Sequence, residues 1–320
     1  MKDNSNMSNP WFERRTRCPA CSSDNFAAIY QAKYDEGPVK DYLENFYSHQ
    51  GGVEFAYLKD AQYILCECDD CDLIFQKDIP NNFLLTRIYD HWIDPHIARA
   101  QHKKNINSYT YYSNIAKEIL RIINHFGKPP SELSLLDFGM GWGKWSLMAK
   151  SFGCESYGTE LSVERINYAK NNGIKIINFE DSSQHKFDFI NTEQVFEHLS
   201  HPLETLTQLQ AALKPDGVIK ISVPGSKDIH RRLKVMDWNF KQGSRYSLNP
   251  VAPLEHINCY GKMSILKMAS EVGMEEVAIP KLAFIYSNDW RKPKKNANFI
   301  ISIVYRHLTK GKNCVFLKQM

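Results

Sequence analysis

Between residues 131 and 223, short apolar runs alternate with amphipathic stretches of about ten residues. Leu133 to Phe138, Cys154 to Thr159, Ile174 to Asn178, Phe187 to Asn191 and Val218 to Val223 read as strands. Gly143 to Phe152, Ser162 to Asn172 and Pro202 to Leu213 read as helices, with Ser162 as an N-cap and Lys214-Pro215-Asp216-Gly217 as a turn. Such alternation predicts an α/β fold with a parallel sheet covered on both faces. Upstream, Tyr111, Ile115, Ile119, Ile122 and Phe126 recur at helical spacing, and Gly127 with Pro129-Pro130 ends that helix. Downstream, residues 224 to 255 are rich in Pro, Gly, Asn and charge and read as an insertion over the active-site face. A helix is predicted from Lys262 to Val272. Val277 to Tyr286 and Phe299 to Tyr305 are predicted as the last two strands, joined by Arg291-Lys292-Pro293-Lys294-Lys295. Trp11 to Phe75 shows no long periodic pattern, and the Asn/Ser-rich residues 1 to 10 are predicted to be disordered.

Composition narrows the class. Of 320 residues, 43% are hydrophobic and 24% charged, a globular balance that excludes a mostly disordered chain. No apolar run approaches the roughly eighteen residues of a membrane span, and the polar first twenty residues show no secretory signal. The expectation is a soluble cytoplasmic protein with no membrane association. The net charge of +4 is unevenly spread: Lys281 to Met320 holds nine basic residues and one acid, and the rest of the chain has a net charge of −4. A basic tail on a mildly acidic body suits a small anionic substrate better than nucleic acid.

Eight cysteines without a secretory signal do not read as a disulfide framework. Cys18-Pro-Ala-Cys21 and Cys68-Asp-Asp-Cys71 form two CxxC knuckles separated by 46 residues, and Cys66 lies beside the second. Each knuckle presents two sulfurs at one point, and zinc favours four thiolates in a tetrahedron. A structural Zn2+ on Cys18, Cys21, Cys68 and Cys71 is expected, with Cys66 as an alternative to Cys68. A closed four-thiolate site would hold structure and would not activate water.

Leu135-Leu136-Asp137-Phe138-Gly139-Met140-Gly141-Trp142-Gly143 is a strand running into a glycine-rich turn and a helix, a backbone that can come close to a ligand. Glu160 follows Gly139 by 21 residues, at the end of the next strand, where a carboxylate can accept hydrogen bonds from ribose hydroxyls. Together with Phe187-Asp188-Phe189-Ile190, Glu197-His198-Leu199 with Pro202, and Leu213-Lys214-Pro215-Asp216-Gly217, these motifs resemble the class I S-adenosylmethionine-dependent methyltransferases over residues 131 to 223. The resemblance implies a Rossmann-like, seven-stranded α/β sheet with S-adenosylmethionine as cofactor. It places Gly139, Gly141 and Gly143 under the methionine and ribose, and Asp137 ordering that loop or near the methionine amine. Glu160 falls on the ribose, Glu180 or Asp181 on the adenine, and Thr192 and Glu193 where the fourth strand opens onto the cofactor. The implied organisation is a small zinc-ribbon-like module over 11–78, a helical connector over 79–130, and the methyltransferase domain over 131–320.

Methyl transfer needs alignment and, for a hydroxyl or carbon acid, a base. Glu197-His198 follows the fourth strand, and His198 is one candidate base. Glu255-His256, followed by Ile257-Asn258-Cys259-Tyr260, resembles a segment of zinc-containing sugar C-methyltransferases, which implies that His256 and Glu255 act on the acceptor. In that family a Tyr precedes the pair and a further C-terminal domain follows; here Pro253 stands at the Tyr position and the chain is shorter. A divalent metal on Glu193, Glu197 and His198 would resemble some quinone O-methyltransferases, although their carboxylates are spaced one residue closer. The leading expectation is a methyltransferase acting on a sugar or nucleotide-linked sugar. An RNA methyltransferase using the knuckles to bind RNA and a non-catalytic zinc scaffold are the alternatives. Asp69, Asp70 and Asp72 around the second knuckle disfavour RNA phosphates.

Overall fold

The computed structural model describes residues 9–93, 109–239, 244, 246–279 and 312–320. In chain order the strands are β1 (Phe12–Arg14), β2 (Phe26–Lys33), β3 (Gln62–Cys68), β4 (Ile74–Gln76), β5 (Asp78–Pro80), β6 (Ser134–Phe138), β7 (Glu155–Gly158), β8 (Lys175–Ile176), β9 (Phe187–Glu193), β10 (Leu213–Pro224), β11 (Asn258–Cys259), β12 (Met274–Glu276) and β13 (Lys312–Gln319). The helices are α1 (Gly37–Tyr47), α2 (Asn82–Arg87), α3 (Tyr109–Phe126), α4 (Lys144–Ser151), α5 (Val163–Asn171), α6 (Pro202–Ala211), α7 (Ile229–Val235) and α8 (Lys262–Glu271). The described residues divide into two compact units, one holding those up to 93 with 197–202 and 226–267, the other holding 109–196, 203–225 and those from 268 onward.

The second unit carries the predicted seven-stranded sheet, in the order β12-β13-β10-β9-β6-β7-β8. β10, β9, β6, β7 and β8 run parallel, and β13 is antiparallel to both of its neighbours. The apolar runs become strands because helices cover both faces: Leu135, Leu136, Phe187, Phe189, Ile190, Ile219 and Ile221 are all fully buried. α3 buries Ile119 and Ile122 against Leu133, Leu135, Trp145 and Phe189.

Among the described residues the last two strands are β12 and β13, and 277–279 at the start of the expected Val277 to Tyr286 strand are not in a strand; 280–286, Phe299 to Tyr305 and the basic run 291 to 295 lie outside the described residues. β12 has only three residues, and β13 carries a four-residue apolar run, Cys314-Val315-Phe316-Leu317, of which Val315 and Leu317 are buried. Ser162 makes no side-chain cap on α5; the Glu160 carboxylate instead accepts from the Leu161 and Ser162 N–H groups at 2.9 and 3.0 Å.

The first unit is built on an antiparallel sheet, β11-β4-β3-β2, and a separate β1–β5 pair. α1 repeats Val39, Leu43 and Tyr47 on one face, all buried in a core with Tyr34, Tyr63, Leu65 and Trp92. Ile229, Trp238, Leu248, Val251 and Leu254 from the expected insertion belong to that same core, and β11 pairs with β4. Residues 226–259 therefore complete the cysteine-bearing unit, because their scattered apolar side chains find partners there that no local pattern shows. Asn9, within the stretch expected to be disordered, is buried and donates to the Tyr57 and Lys59 carbonyls at 2.8 and 2.9 Å.

Candidate functional site

The glycine loop between β6 and α4 is latched to the end of β7 by Thr159. Gly139 N–H donates to the Thr159 hydroxyl at 3.0 Å, and Met140 N–H donates to the Thr159 carbonyl at 3.0 Å. Gly139, Gly141 and Gly143 all have positive φ, at 68°, 54° and 64°. A Cβ on Gly139 would meet Val195 Cγ2 at 2.8 Å, so this glycine closes the loop onto the fold. A Cβ on Gly141 would meet nothing within 4 Å, so its outer side is open to a ligand. A packed turn with one open glycine suits the close approach of an adenosyl cofactor.

Asp137, the next-to-last residue of β6, has 4% of its surface exposed and accepts from Ser146 Oγ at 2.9 Å and Asn191 Nδ2 at 2.7 Å. Burial raises its pKa to about 6, against the lowering effect of those hydrogen bonds and of the Lys220 charge. Lys220, buried in the middle of β10, lies 2.7 Å from Glu118 Oε1 and 2.9 Å from Glu193 Oε2, and donates to Asn191 Oδ1 at 3.0 Å. Desolvation pulls the Lys220 pKa down, but the Glu118 and Glu193 charges outweigh it and hold the ammonium ionised. Burying that charge is tolerable only because three oxygens receive it. A charged Lys220 inside the apolar run Val218-Ile219-Lys220-Ile221 is the sequence signal that could have found this network.

The other predicted cofactor residues are placed as follows. Glu160 is mostly covered, with one oxygen on the two N–H groups above and the other 3.6 Å from Arg165. Glu180 is exposed. Asp181 accepts from Asn178 at 3.2 Å and Gln184 at 3.1 Å. Thr192 is fully buried and its hydroxyl donates to the Lys220 carbonyl at 2.8 Å.

In the first unit the four predicted cysteines converge. Cys18 and Cys71 Sγ are 3.6 Å apart, as are Cys21 and Cys68 Sγ, and all four sulfurs lie within 4.8 Å of one another. A tetrahedron with Zn–S near 2.3 Å separates its sulfurs by about 3.8 Å, so the set fits zinc. The two knuckles repeat one backbone design. Ser22 and Asp72 follow the second cysteine of each with φ of 59° and 58°, and donate back to the Cys18 and Cys68 carbonyls at 2.9 and 3.0 Å. Hydrogen bonding from the Cys71 thiol holds Cys18 down to about 6, a ready thiolate. Cys66 is buried but stands outside the cluster, and burial pushes its thiol up to about 11.

The same unit gathers the candidate acceptor residues. Glu255 accepts from Tyr47 Oη at 2.6 Å, and burial raises its pKa against that bond. His198 Nδ1 donates to the Glu255 carbonyl at 2.9 Å, and His256 Nδ1 donates to the Asn249 carbonyl. The two rings meet edge-on with centroids 4.8 Å apart. Desolvation lowers their pKa values to about 4 for His198 and about 3 for His256, so both are neutral at pH 7. Leu254, just before the pair, is held at φ 69°, which costs a non-glycine residue about 1 kcal/mol. The Arg15 guanidinium ties the two segments together, donating to the carbonyls of Leu199 at 3.3 Å, Ser200 at 3.0 Å and Ile257 at 3.1 Å. Gln76 donates to the His256 carbonyl at 3.1 Å. Tyr47, Arg15 and Gln76 lie far from residue 255 in sequence, and no spacing rule links them to it.

A family model described as a methyltransferase domain matches residues 111–279. Phosphoethanolamine N-methyltransferase 2 of Caenorhabditis elegans is 28% identical over 123 residues, covering 34% of this chain and 28% of that protein. Ubiquinone biosynthesis O-methyltransferase of Haemophilus ducreyi is 30% identical over 124 residues, covering 34% of this chain and 48% of that protein. The matched stretch thus spans less than half of either relative. A plantazolicin methyltransferase, solved with a pentazolic desmethylPZN analogue and SAH, shares the fold with a TM-score of 0.50 at 16% identity, over 74% of this chain and 94% of that one.

Proposed function

The chain belongs to the methyltransferase-domain family, and from that premise we propose that it moves a methyl group from S-adenosylmethionine to a small polar acceptor, a sugar or nucleotide-linked sugar. The observation that carries the activity is the loop after β6, where a buried Asp137 stands below a glycine turn whose Gly141 faces open space. Gly139, Gly141 and Gly143 would floor the cofactor site, Glu160 would receive the ribose, and the exposed Glu180 would reach the adenine, since Asp181 already serves Asn178 and Gln184. S-adenosylmethionine supplies the activated methyl group as a sulfonium. Thr192 and Glu193 support that face from β9, one through the β10 backbone and the other through Lys220.

At the acceptor, an imidazole whose conjugate acid has a pKa of 3 or 4 takes a proton poorly at neutral pH. Glu255, its pKa raised by burial, is the better base, and Tyr47 fixes its carboxylate. His198 and His256 would line the acceptor side as neutral rings, their Nδ1–H groups committed to carbonyls. A structural zinc on Cys18, Cys21, Cys68 and Cys71 would fix the knuckles. Exposed Asp69, Asp70 and Asp72 on the second knuckle weigh against an RNA substrate. Calorimetric titration with S-adenosylmethionine should give a Kd of about micromolar or tighter. A folded protein that releases no heat would sink the proposal.

A further inference from the structure

We propose that Glu197, His198 and His256 form a divalent-cation site, separate from the four cysteines, that takes a first-row metal such as Zn2+ or Mn2+. One ligand atom from each lies within 4.8 Å of the others, and His198 Nε2 is 4.0 Å from Glu197 Oε1. Metal–ligand bonds near 2.1 Å put ligand atoms roughly 3.4 Å apart in a tetrahedron, so the ligand atoms need to close by about 0.6 Å to at most about 1.4 Å.

The tautomers are set for coordination. A backbone carbonyl can only accept, so the bonds to the Glu255 and Asn249 carbonyls place a proton on Nδ1 of His198 and of His256. Each Nε2 then carries its lone pair, and a hydrogen bond at the far nitrogen is what metal-bound histidines ordinarily show. Glu197, 1% exposed, brings the negative charge that two neutral imidazoles lack. The ligands sit on two segments remote in sequence, yet these are stapled together. Arg15 donates to Ile257 and to Leu199 and Ser200, and Asn258 Nδ2 donates to the Leu199 carbonyl at 2.8 Å. Such cross-bracing lets three ligands hold a geometry that loops alone would lose.

Two histidines and one carboxylate leave positions open on the ion for water or for oxygens of a ligand. If the methyltransferase proposal holds, those positions would take acceptor oxygens and lower the pKa of a bound hydroxyl beside Glu255. That role rests on the proposed activity; the cation site itself does not.

The test uses the full chain, given one equivalent of zinc for the four thiolates with no free excess, and then titrated with MnCl2. The expected result is paramagnetic broadening of the His198 and His256 ring signals, with His125 and His185 left sharp. His256→Gln should weaken Mn2+ binding about tenfold or more. Absent broadening, or equal broadening of all four histidines, overturns the site, and the wild-type spectrum decides this even where the variant fails to fold. Titration with S-adenosylmethionine in excess chelator is read separately. Cofactor binding without Mn2+ binding removes only the cation site, and the reverse removes only the methyltransferase proposal.

Discussion

Asp137 shows how one residue couples the cofactor loop to stability. Its pKa rises from 3.8 to about 6 because burial disfavours the carboxylate. A raised carboxyl pKa means that this group's contribution is fully present below pH 3.8 and is lost as the pH climbs through about 6. The loss approaches about 3 kcal/mol at full effect. Asp137→Asn should therefore flatten the fall in unfolding free energy between pH 4 and 7, measured by urea denaturation across that range. A variant with the wild-type slope would show that the aspartate is not the group that titrates. The two glycines beside it separate folding from binding. Gly139→Ala would add a Cβ 2.8 Å from Val195 at φ 68° and should lower Tm clearly. Gly141→Ala meets nothing within 4 Å and should cost only about 1 kcal/mol from its positive φ, while weakening cofactor binding strongly. Thermal melts and calorimetry on the pair check both halves; equal effects on Tm would contradict the assignment.

At the scale of elements, sequence and structure agree where pattern is local. β6, β9 and β10 were legible because their side chains are largely buried on both faces and form apolar runs. The knuckles were legible because two cysteines three apart must turn back on themselves. β13 was not, because its apolar run Cys314 to Leu317 is only four residues long and pattern alone does not separate so short a run from a loop, and neither was β11, two residues long and defined by its pairing with β4. Cys66 and Cys68 both lie on β3; the two-residue spacing to Cys71 favours Cys68 with Cys66 as the alternative, and Cys68 is the one that joins the other sulfurs. Zinc analysis by mass spectrometry should find about one equivalent lost in Cys68→Ser and none lost in Cys66→Ser. The opposite pattern would move the ligand to Cys66.

Over the whole molecule, the sequence shows a cysteine module ahead of a catalytic domain, and the chain instead interleaves its two units. Residues 197–202 and 226–259 return to the cysteine-bearing unit, bringing Glu197, His198, Glu255 and His256 together there. The cofactor loop was readable because its residues are consecutive. The residues proposed to meet the acceptor were readable only as separate Glu-His pairs, because Tyr47, Arg15 and Gln76 join them through tertiary contacts. Among the described residues, no helix is long and apolar enough to cross a membrane. The central claim is transfer of the cofactor's methyl group to a small polar acceptor. It is tested most directly by incubating the full-length protein with methyl-tritiated S-adenosylmethionine and a pool of sugars and nucleotide sugars, then separating the products. The account predicts label in a discrete polar small molecule, formed with S-adenosylhomocysteine in equal amount and reduced sharply in Glu255→Gln. Label confined to RNA or protein, or no transfer by a protein that binds the cofactor, would contradict it.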